Sequence, residues 1–189
     1  MRQQHRYQMA GFSLLEVMIA AVVLSFGLLG LVALQMQAKV ASYEARQRTI
    51  ASWLANDMVE RVRINRDSWS ATGATLVDLS TPQVRPSCAA SDGYLSGCNR
   101  GDLRAADLYY WQQAMLGASV SGSVASLQSP VGCIVRRANN VLDVAIFWSG
   151  KQSVTDASTA NMVATLRNDC AIDSTVNKAR RQFTLTTTL

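Results

Sequence analysis

Charged residues and histidine are both scarce in this chain. Only 16% of its 189 residues are charged, against roughly 25% in typical soluble chains, so part of the chain is expected to lie outside water. The one histidine, His5, precedes the long apolar run of the sequence and leaves a Ser/His/Asp or Cys/His arrangement without a base further along. The sequence also has no Gly-rich phosphate loop, acidic metal cluster or paired-carboxylate motif. We therefore expect no catalytic residue, cofactor or metal site, and no enzyme.

The apolar residues are concentrated in one run near the N-terminus. The 22 residues from Val17 to Ala38 carry no charge, and no proline occurs before Pro82. As a helix at about 1.5 Å per residue, this run is about 33 Å long, enough to span the ~30 Å hydrocarbon core of a bilayer. The length leaves room for one globular domain besides. The sequence predicts a membrane-anchored protein rather than a soluble cytoplasmic one.

The residues before the run allow two interpretations. Residues 1–11 carry Arg2 and Arg6 but no acid, and the small residues Ala10 and Gly11 precede the apolar stretch, whereas a secretory signal has them after it. The segment is therefore either an uncleaved signal anchor with a basic tail, or a leader removed on the cytoplasmic side after Gly11.

Glu16 favours leader removal. An ionised acid inside a membrane helix costs about 2.5 to 3.5 kcal/mol on insertion scales, so it indicates a function. Cleavage after Gly11 would create an ammonium group on Phe12, four residues away, which could pair with this carboxylate or with Glu16 of a neighbouring subunit. The alternative is a carboxylate at the headgroup boundary.

The residues GFSLLE at 11–16, followed by the apolar run, resemble the class III signal of type IV prepilins. The resemblance extends over about the first 67 residues, and LANDMVERVRINR at 54–66 is similar to the minor pilin family called pilus modification protein PilV. It implies that a prepilin peptidase cuts between Gly11 and Phe12, that Phe12 is N-methylated, and that Glu16 acts in assembly. Major pilins usually have a helix-bending Pro in the run, where this chain has Ala33.

The resemblance also implies a fold and a function. The fold is the α+β type IV pilin fold, a long N-terminal helix packed on a C-terminal antiparallel sheet of about four strands. The function is that of a minor pilin, which primes pilus assembly, joins the tip complex, and supports surface motility and adhesion. The implied partners are the prepilin peptidase, other minor pilins, the major pilin and a tip adhesin. The implied location is the inner membrane, with the C-terminal domain in the periplasm, and then the fibre or its tip. A minor pseudopilin of type II secretion and a DNA-uptake pilin are the alternatives.

The chain divides into four predicted segments. These are a cleaved leader (1–11), a transmembrane or filament-core helix (12–38), an amphipathic stalk helix (39–67) and a globular pilin domain (68–189), in which a loop and a helix (68–130) precede the sheet (131–189). No Gly or Pro lies between Leu31 and Arg66, so one continuous helix is expected through the stalk. A separate membrane helix followed by a soluble bundle is the alternative.

The stalk has an apolar stripe and a charged surface. Opposite charges recur at helical spacing in the pairs Glu44/Arg48, Asp57/Arg61 and Glu60/Arg63. The apolar stripe is predicted to pack against the sheet through Ile50, Trp53, Leu54, Met58 and Val62.

The globular segment contains signals for loop, helix and strands. Residues 68–101 are rich in Ser, Thr, Gly and Pro and predict irregular loop, and a flexible segment is expected at 119–129. Asp102 is the expected N-cap of a helix that ends at Gly117 and buries Leu108, Trp111 and Met115. A period of two predicts strands at 133–137, 141–149, 164–172 and 181–189, with Asn139 and Asn140 in a hairpin turn.

Four cysteines follow the membrane segment, where the leader argument predicts an oxidising compartment. They allow three connectivities, of which we favour Cys88 with Cys98 and Cys133 with Cys170. Zinc is disfavoured because the spacing contains no C-x-x-C.

The net charge of +5 falls to +3 once Arg2 and Arg6 are removed with the leader, which is typical of an ordinary solvated surface. The alternative is a nucleic-acid patch formed with Trp111 or Trp148 by Arg136, Arg137, Lys178, Arg180 and Arg181. Nucleic acid is not an expected partner.

Overall fold

The computed structural model describes residues 13–90, 93–117, 127–151, 169–170 and 180–189. The chain divides into two compact units, Met1–Ser42 and Tyr43–Leu189. Helix α1, Leu14–Ile64, is 51 residues long and contributes to both. The described part of the first unit is helical from Leu14 onward, and its side chains are exposed apart from that of Val40.

The second unit contains the rest of α1, one further α-helix and an antiparallel sheet. After α1 come a short 3-10 helix (Arg66–Trp69), β1 (Gly73–Val77), α2 (Arg100–Leu116), β2 (Val131–Arg136), β3 (Val141–Ser149) and β4 (Arg180–Thr188). The strand order is β1-β2-β3-β4, and each neighbouring pair is antiparallel. The predicted α+β architecture, a long helix with a four-stranded antiparallel sheet, is confirmed.

The first strand of the sheet was not predicted. Strand β1 lies inside the segment expected to be loop, and it pairs with β2 from Gly73↔Arg136 to Val77↔Gly132. The sheet therefore does not begin at residue 131. The strand predicted at 164–172 falls mostly outside the described residues, and Asp169 and Cys170, which are described, are not in a strand. The pattern missed β1 because only Val77 of its five residues is buried.

The second part of α1 packs into the core through one stripe. Leu54, Met58 and Val62 are completely buried, and Ile50 is partly buried against the same cluster. The prediction for Trp53 is wrong, because its side chain is 59% exposed. At about 100° per residue, Trp53 lies roughly 160° from the centre of the stripe, whose buried members are Gln47, Ala51, Leu54, Ala55, Met58, Val59 and Val62.

Helix α2 begins earlier than predicted. Its N-cap is Asn99, whose side chain accepts a hydrogen bond from the backbone N–H of Asp102, so Asp102 lies in the first turn. An amide oxygen at the N-cap satisfies one of the free N–H groups of that turn. The helix stops before Gly117, which adopts φ 76° as a left-handed C-cap. The predicted face is buried at Leu108, Trp111 and Met115.

The β2–β3 connection turns at Asn139 and Asn140, both with φ of 62°, which asparagine tolerates better than most residues. One face of the sheet joins the core shared with α1 and α2 through Ile134, Leu142, Val144, Ile146 and Trp148. The other face buries a second cluster that includes Cys133, Val135, Ala145, Phe147 and Cys170.

The four cysteines form two disulfides in the favoured pairing. Cys88 bonds to Cys98 within the loop before α2. Cys133, in β2, bonds to Cys170 on the outer face of the sheet.

Candidate functional site

The first half of α1 presents a continuous apolar surface. Leu14 is 80% exposed and Phe26 71%, and the helix carries no charged side chain from Val17 to Ala38. Among the described residues, α1 is the one helix long and apolar enough to cross a membrane. Exposed apolar area of this extent is rare on soluble monomers. It needs lipid or the helices of other subunits to cover it.

Glu16 lies in the first turn of this surface. Its backbone N–H donates to the oxygen of Ser13 at 3.0 Å, and its side chain is exposed. A carboxylate is favourable near the partial positive charge of a helix N-terminus. No cation within the described chain lies at ion-pair distance from it. Gly11 and Phe12, the predicted cleavage and methylation residues, lie outside the described residues.

At the start of the second half of α1, a carboxylate joins the helix to the end of the sheet. Glu44 lies 3.4 Å from Nε of Arg181 and accepts a hydrogen bond from the backbone N–H of Lys151 at 2.9 Å. The ammonium of Lys151 lies 4.4 Å from the ring centroid of Tyr43. The pair predicted between Glu44 and Arg48 is therefore wrong, because the end of the sheet uses this carboxylate. The other two pairs form, Arg61–Asp57 at 2.9 Å and Arg63–Glu60 at 2.7 Å.

A buried acid fixes the far end of α1. The two oxygens of Asp107, in α2, accept from Nδ2 of Asn65 at 3.0 and 2.9 Å, and one of them accepts from Nε1 of Trp69 at 3.0 Å. Asp107 is only 4% exposed. Burial raises the pKa of its carboxyl group above 3.8, although the hydrogen bonds from Trp69 and Asn65 act in the opposite direction. The guanidinium of Arg104 lies 4.7 Å from the ring centroid of Trp69.

A buried amide organises the loop after β1. The side chain of Gln112, 2% exposed, accepts from the N–H of Gln83 at 2.7 Å and donates to the backbone oxygens of Asp78 and Thr81. Sequence reasoning missed Gln112 and Asp107, because a polar residue on an amphipathic helix is normally assigned to its solvent face. No sequence signal marked them as buried.

The side chains of the alternative nucleic-acid patch do not form a surface on which bases could stack. Trp111 and Trp148 are buried, at 0% and 1% exposure. Arg136 is 8% exposed and donates to the backbone oxygen of Trp69 and the side chain of Asn140. Arg137 pairs with Asp143 and Asp169, and Lys178 lies outside the described residues. Over the described ranges, no group of three His, Cys, Asp or Glu side chains could hold a metal ion.

Comparison with known families gives two matches. The family model described as Type IV pilin Tt1218 matches residues 33–109, and the model described as the prokaryotic N-terminal methylation motif matches residues 6–32. Neither match assigns the chain to the PilV family. No curated protein and no solved structure matches the chain.

The two matches adjoin at the apolar half of α1. The methylation motif covers residues 6–11 of the predicted leader, Glu16 and most of the apolar run. The pilin match covers the stalk, β1 and the first half of α2. An apolar helix behind a prepilin motif fits an inner-membrane anchor that later enters a pilus. The chain therefore belongs to the type IV pilins, which are structural proteins rather than enzymes, and it has their fold.

Proposed function

We propose that this pilin is a minor pilin, similar to the PilV family, which primes assembly of a type IV pilus and joins the complex at its tip. In this role it supports surface motility and adhesion. The similarity of residues 54–66 to PilV and the presence of Ala33, where major pilins usually have proline, support the minor role. Its partners are other minor pilins, the major pilin and a tip adhesin.

The observation that carries the proposal is the exposed apolar half of α1 with a carboxylate in its first turn. In a bundle of such helices Glu16 enters an apolar environment, where the loss of hydration is costly unless a cation lies nearby. The ammonium of Phe12, in the same or the neighbouring subunit, is that cation. Attraction between the two groups guides the incoming subunit and fixes its register.

Maturation precedes this step. A prepilin peptidase removes residues 1–11, methylates the new amine of Phe12, and leaves the chain anchored in the inner membrane with the globular unit in the periplasm. Gly11→Val should block cleavage, since the peptidase must recognise glycine at the membrane face. The precursor then stays longer by the 11 leader residues on gels and remains in the membrane fraction. Normal maturation of this variant would contradict the assignment.

Glu16→Gln tests the assembly role, because it keeps the shape of the side chain and removes its charge. We expect normal cleavage and membrane insertion, with loss of this protein from sheared fibres and from complexes with companion pilins. Glu60→Gln is the matched control, since Glu60 is an exposed acid of the same helix in a surface pair with Arg63. Wild-type amounts of the Glu16 variant in both fractions would make Glu16 a headgroup-boundary residue without an assembly role.

Co-purification separates the proposal from its alternatives. A minor pilin is recovered with the major pilin of a motility pilus, and its deletion reduces surface fibres. Recovery with the pseudopilins of a secretion system, together with periplasmic accumulation of secreted proteins on deletion, would support the pseudopilin alternative instead. A DNA-uptake pilin would shift duplex DNA on a gel.

A further inference from the structure

Basic side chains are concentrated at the end of the second unit where α1 enters it. Tyr43 is the first residue of this unit, and the Lys151 ammonium lies against its ring. Arg46 and Arg48 are on α1 within about one turn of Tyr43, and both are exposed, as is Lys151. We call Arg46, Arg48, Lys151 and Arg181 the proximal basic cluster.

Among the described residues, one acid faces the cluster, and it is already bound. Glu44 is engaged by Arg181 and by the backbone N–H of Lys151. Within the described part of the chain, no carboxylate lies within 4.0 Å of the charged groups of Arg46, Arg48 or Lys151. The cluster thus presents three exposed positive charges that no described acid neutralises.

Most arginines near the other end of α1 lie beside an acid. Arg61 pairs with Asp57, Arg63 with Glu60 and Arg100 with Asp67, at distances of 2.9, 2.7 and 3.5 Å. Arg66 is the exception, since it is exposed and no described acid lies within 4.0 Å of its guanidinium. Positive charge without an acid beside it is therefore more abundant at the end of the second unit that the chain enters first.

We propose that the proximal basic cluster binds the anionic headgroups of the membrane in which the chain is anchored before assembly. The inference rests on the membrane-anchored state of the proposed function. Tyr43 follows Ala38, the last residue of the uncharged run, by five residues, which is about 7.5 Å of helix. This is comparable to the Debye length of about 8 Å at physiological ionic strength, the range over which anionic lipid attracts basic residues.

Chain connectivity favours lipid over nucleic acid as the anion. Lipid headgroups lie beside the cluster whenever the apolar run is inserted, whereas DNA would have to be recruited. The two tryptophans proposed for base stacking, Trp111 and Trp148, are buried. The interaction would hold the globular unit near the membrane surface and would be released when the subunit is extracted into a fibre.

The test uses the full chain in phosphatidylcholine bilayers with a trace of spin-labelled phosphatidylglycerol or spin-labelled phosphatidylcholine. Electron paramagnetic resonance measures the fraction of each labelled lipid that the protein immobilises. We expect a preference for phosphatidylglycerol that falls at least about fivefold in the variant Arg46→Gln/Arg48→Gln/Lys151→Gln, because one basic side chain near an anionic surface already accounts for about fivefold and the variant removes three. Salt at 1 M should weaken the wild-type preference, since it shortens the Debye length to about 3 Å.

A matched variant controls for total charge. Arg66→Gln/Arg85→Gln/Arg100→Gln removes three exposed arginines outside the cluster and should leave the preference unchanged. The proposal is overturned if the cluster variant keeps the wild-type preference for phosphatidylglycerol, or if the control variant loses as much of it. It is also overturned if the cluster variant loses binding to duplex DNA while its lipid preference stays intact.

Alkaline carbonate extraction checks the anchor separately. A wild-type chain released by carbonate contradicts the anchored state and this inference with it. A retained chain with no lipid preference overturns this inference alone.

Discussion

The indole Nε1 of Trp111 donates a hydrogen bond of 2.9 Å to the backbone oxygen of Leu54, 57 residues earlier in the chain. Both residues are completely buried, so the bond satisfies a donor that has no access to water. The same ring covers Gly132 in β2, where an added Cβ atom would overlap Cη2 of Trp111. One side chain of α2 therefore sets the spacing between α1 and the sheet.

Gly132→Ala should lower the free energy of unfolding by about 1 to 3 kcal/mol, the range for overpacking a well-packed core. The cause is the contact with Trp111, so the cost of the alanine should shrink in a Trp111→Leu background, where the ring is absent. A double-mutant cycle by urea unfolding in detergent micelles measures this coupling, which we expect to exceed about 0.5 kcal/mol. Additive effects would mean that the backbone at Gly132, and not the indole, causes the loss.

Truncation of two neighbouring residues of α1 should destabilise the domain by very different amounts. Leu54→Ala removes a completely buried side chain and should cost about 2 to 5 kcal/mol of domain stability. Trp53→Ala should cost less than about 1 kcal/mol, because exposed positions are tolerant and this indole is 59% exposed. Urea unfolding of both variants under one condition gives the comparison. A larger loss for Trp53→Ala would place its ring in the core.

The contrast between Trp53 and Leu54 shows which features of the fold could be predicted from the sequence. The helix, its stripe and the hairpin at Asn139 followed from periodicity and turn chemistry, which are local signals. Trp53 was assigned to the stripe by its hydrophobicity, although its angular position puts it on the opposite side. Angular position decides burial on a helix, and it was the better guide here.

The features that the sequence does not predict depend on tertiary contacts. Strand β1 exists because β2 offers an edge to pair with, and its five residues, of which only Val77 is buried, carry little pattern of their own. Glu44 has Arg48 at helical spacing, yet the folded sheet brings Arg181 to it. Asp107 and Gln112 are buried because loops and helix ends pack over them. The hydrophobic periodicity of α2 carries no information about these contacts.

The two disulfides should stabilise the domain unequally. Cys133 and Cys170 are separated by 37 positions and Cys88 and Cys98 by 10, and closing a longer loop removes more entropy from the unfolded chain. In that model, removing the Cys133–Cys170 bond as a double Cys→Ala variant costs about 1 kcal/mol more than removing the Cys88–Cys98 bond in the same way. Denaturant unfolding of the two double variants tests the order. The reverse order would mean that native contacts around the Cys88–Cys98 loop outweigh loop closure.

The buried carboxyl of Asp107 should make stability depend on pH. Burial raises the folded pKa of this group above its ordinary value of 3.8, so between these two values the folded chain binds more protons than the unfolded chain. Stability that depends on this group is therefore fully present below pH 3.8 and is lost as pH rises through the folded pKa. The expected direction is opposite to that of an acid held by an ion pair.

Asp107→Asn isolates this contribution, because asparagine does not titrate and the other carboxyl groups are common to both proteins. The measurement is the unfolding free energy of the wild type minus that of the variant, at one temperature, from about pH 3 to pH 7. We expect the difference to fall as pH rises above 3.8 and to become constant above the folded pKa, since both states are then ionised. A difference that rises over the same range would show that the bonds from Asn65 and Trp69 hold the ionised carboxylate more strongly than burial penalises it. The network at the end of α1 would then stabilise the charge.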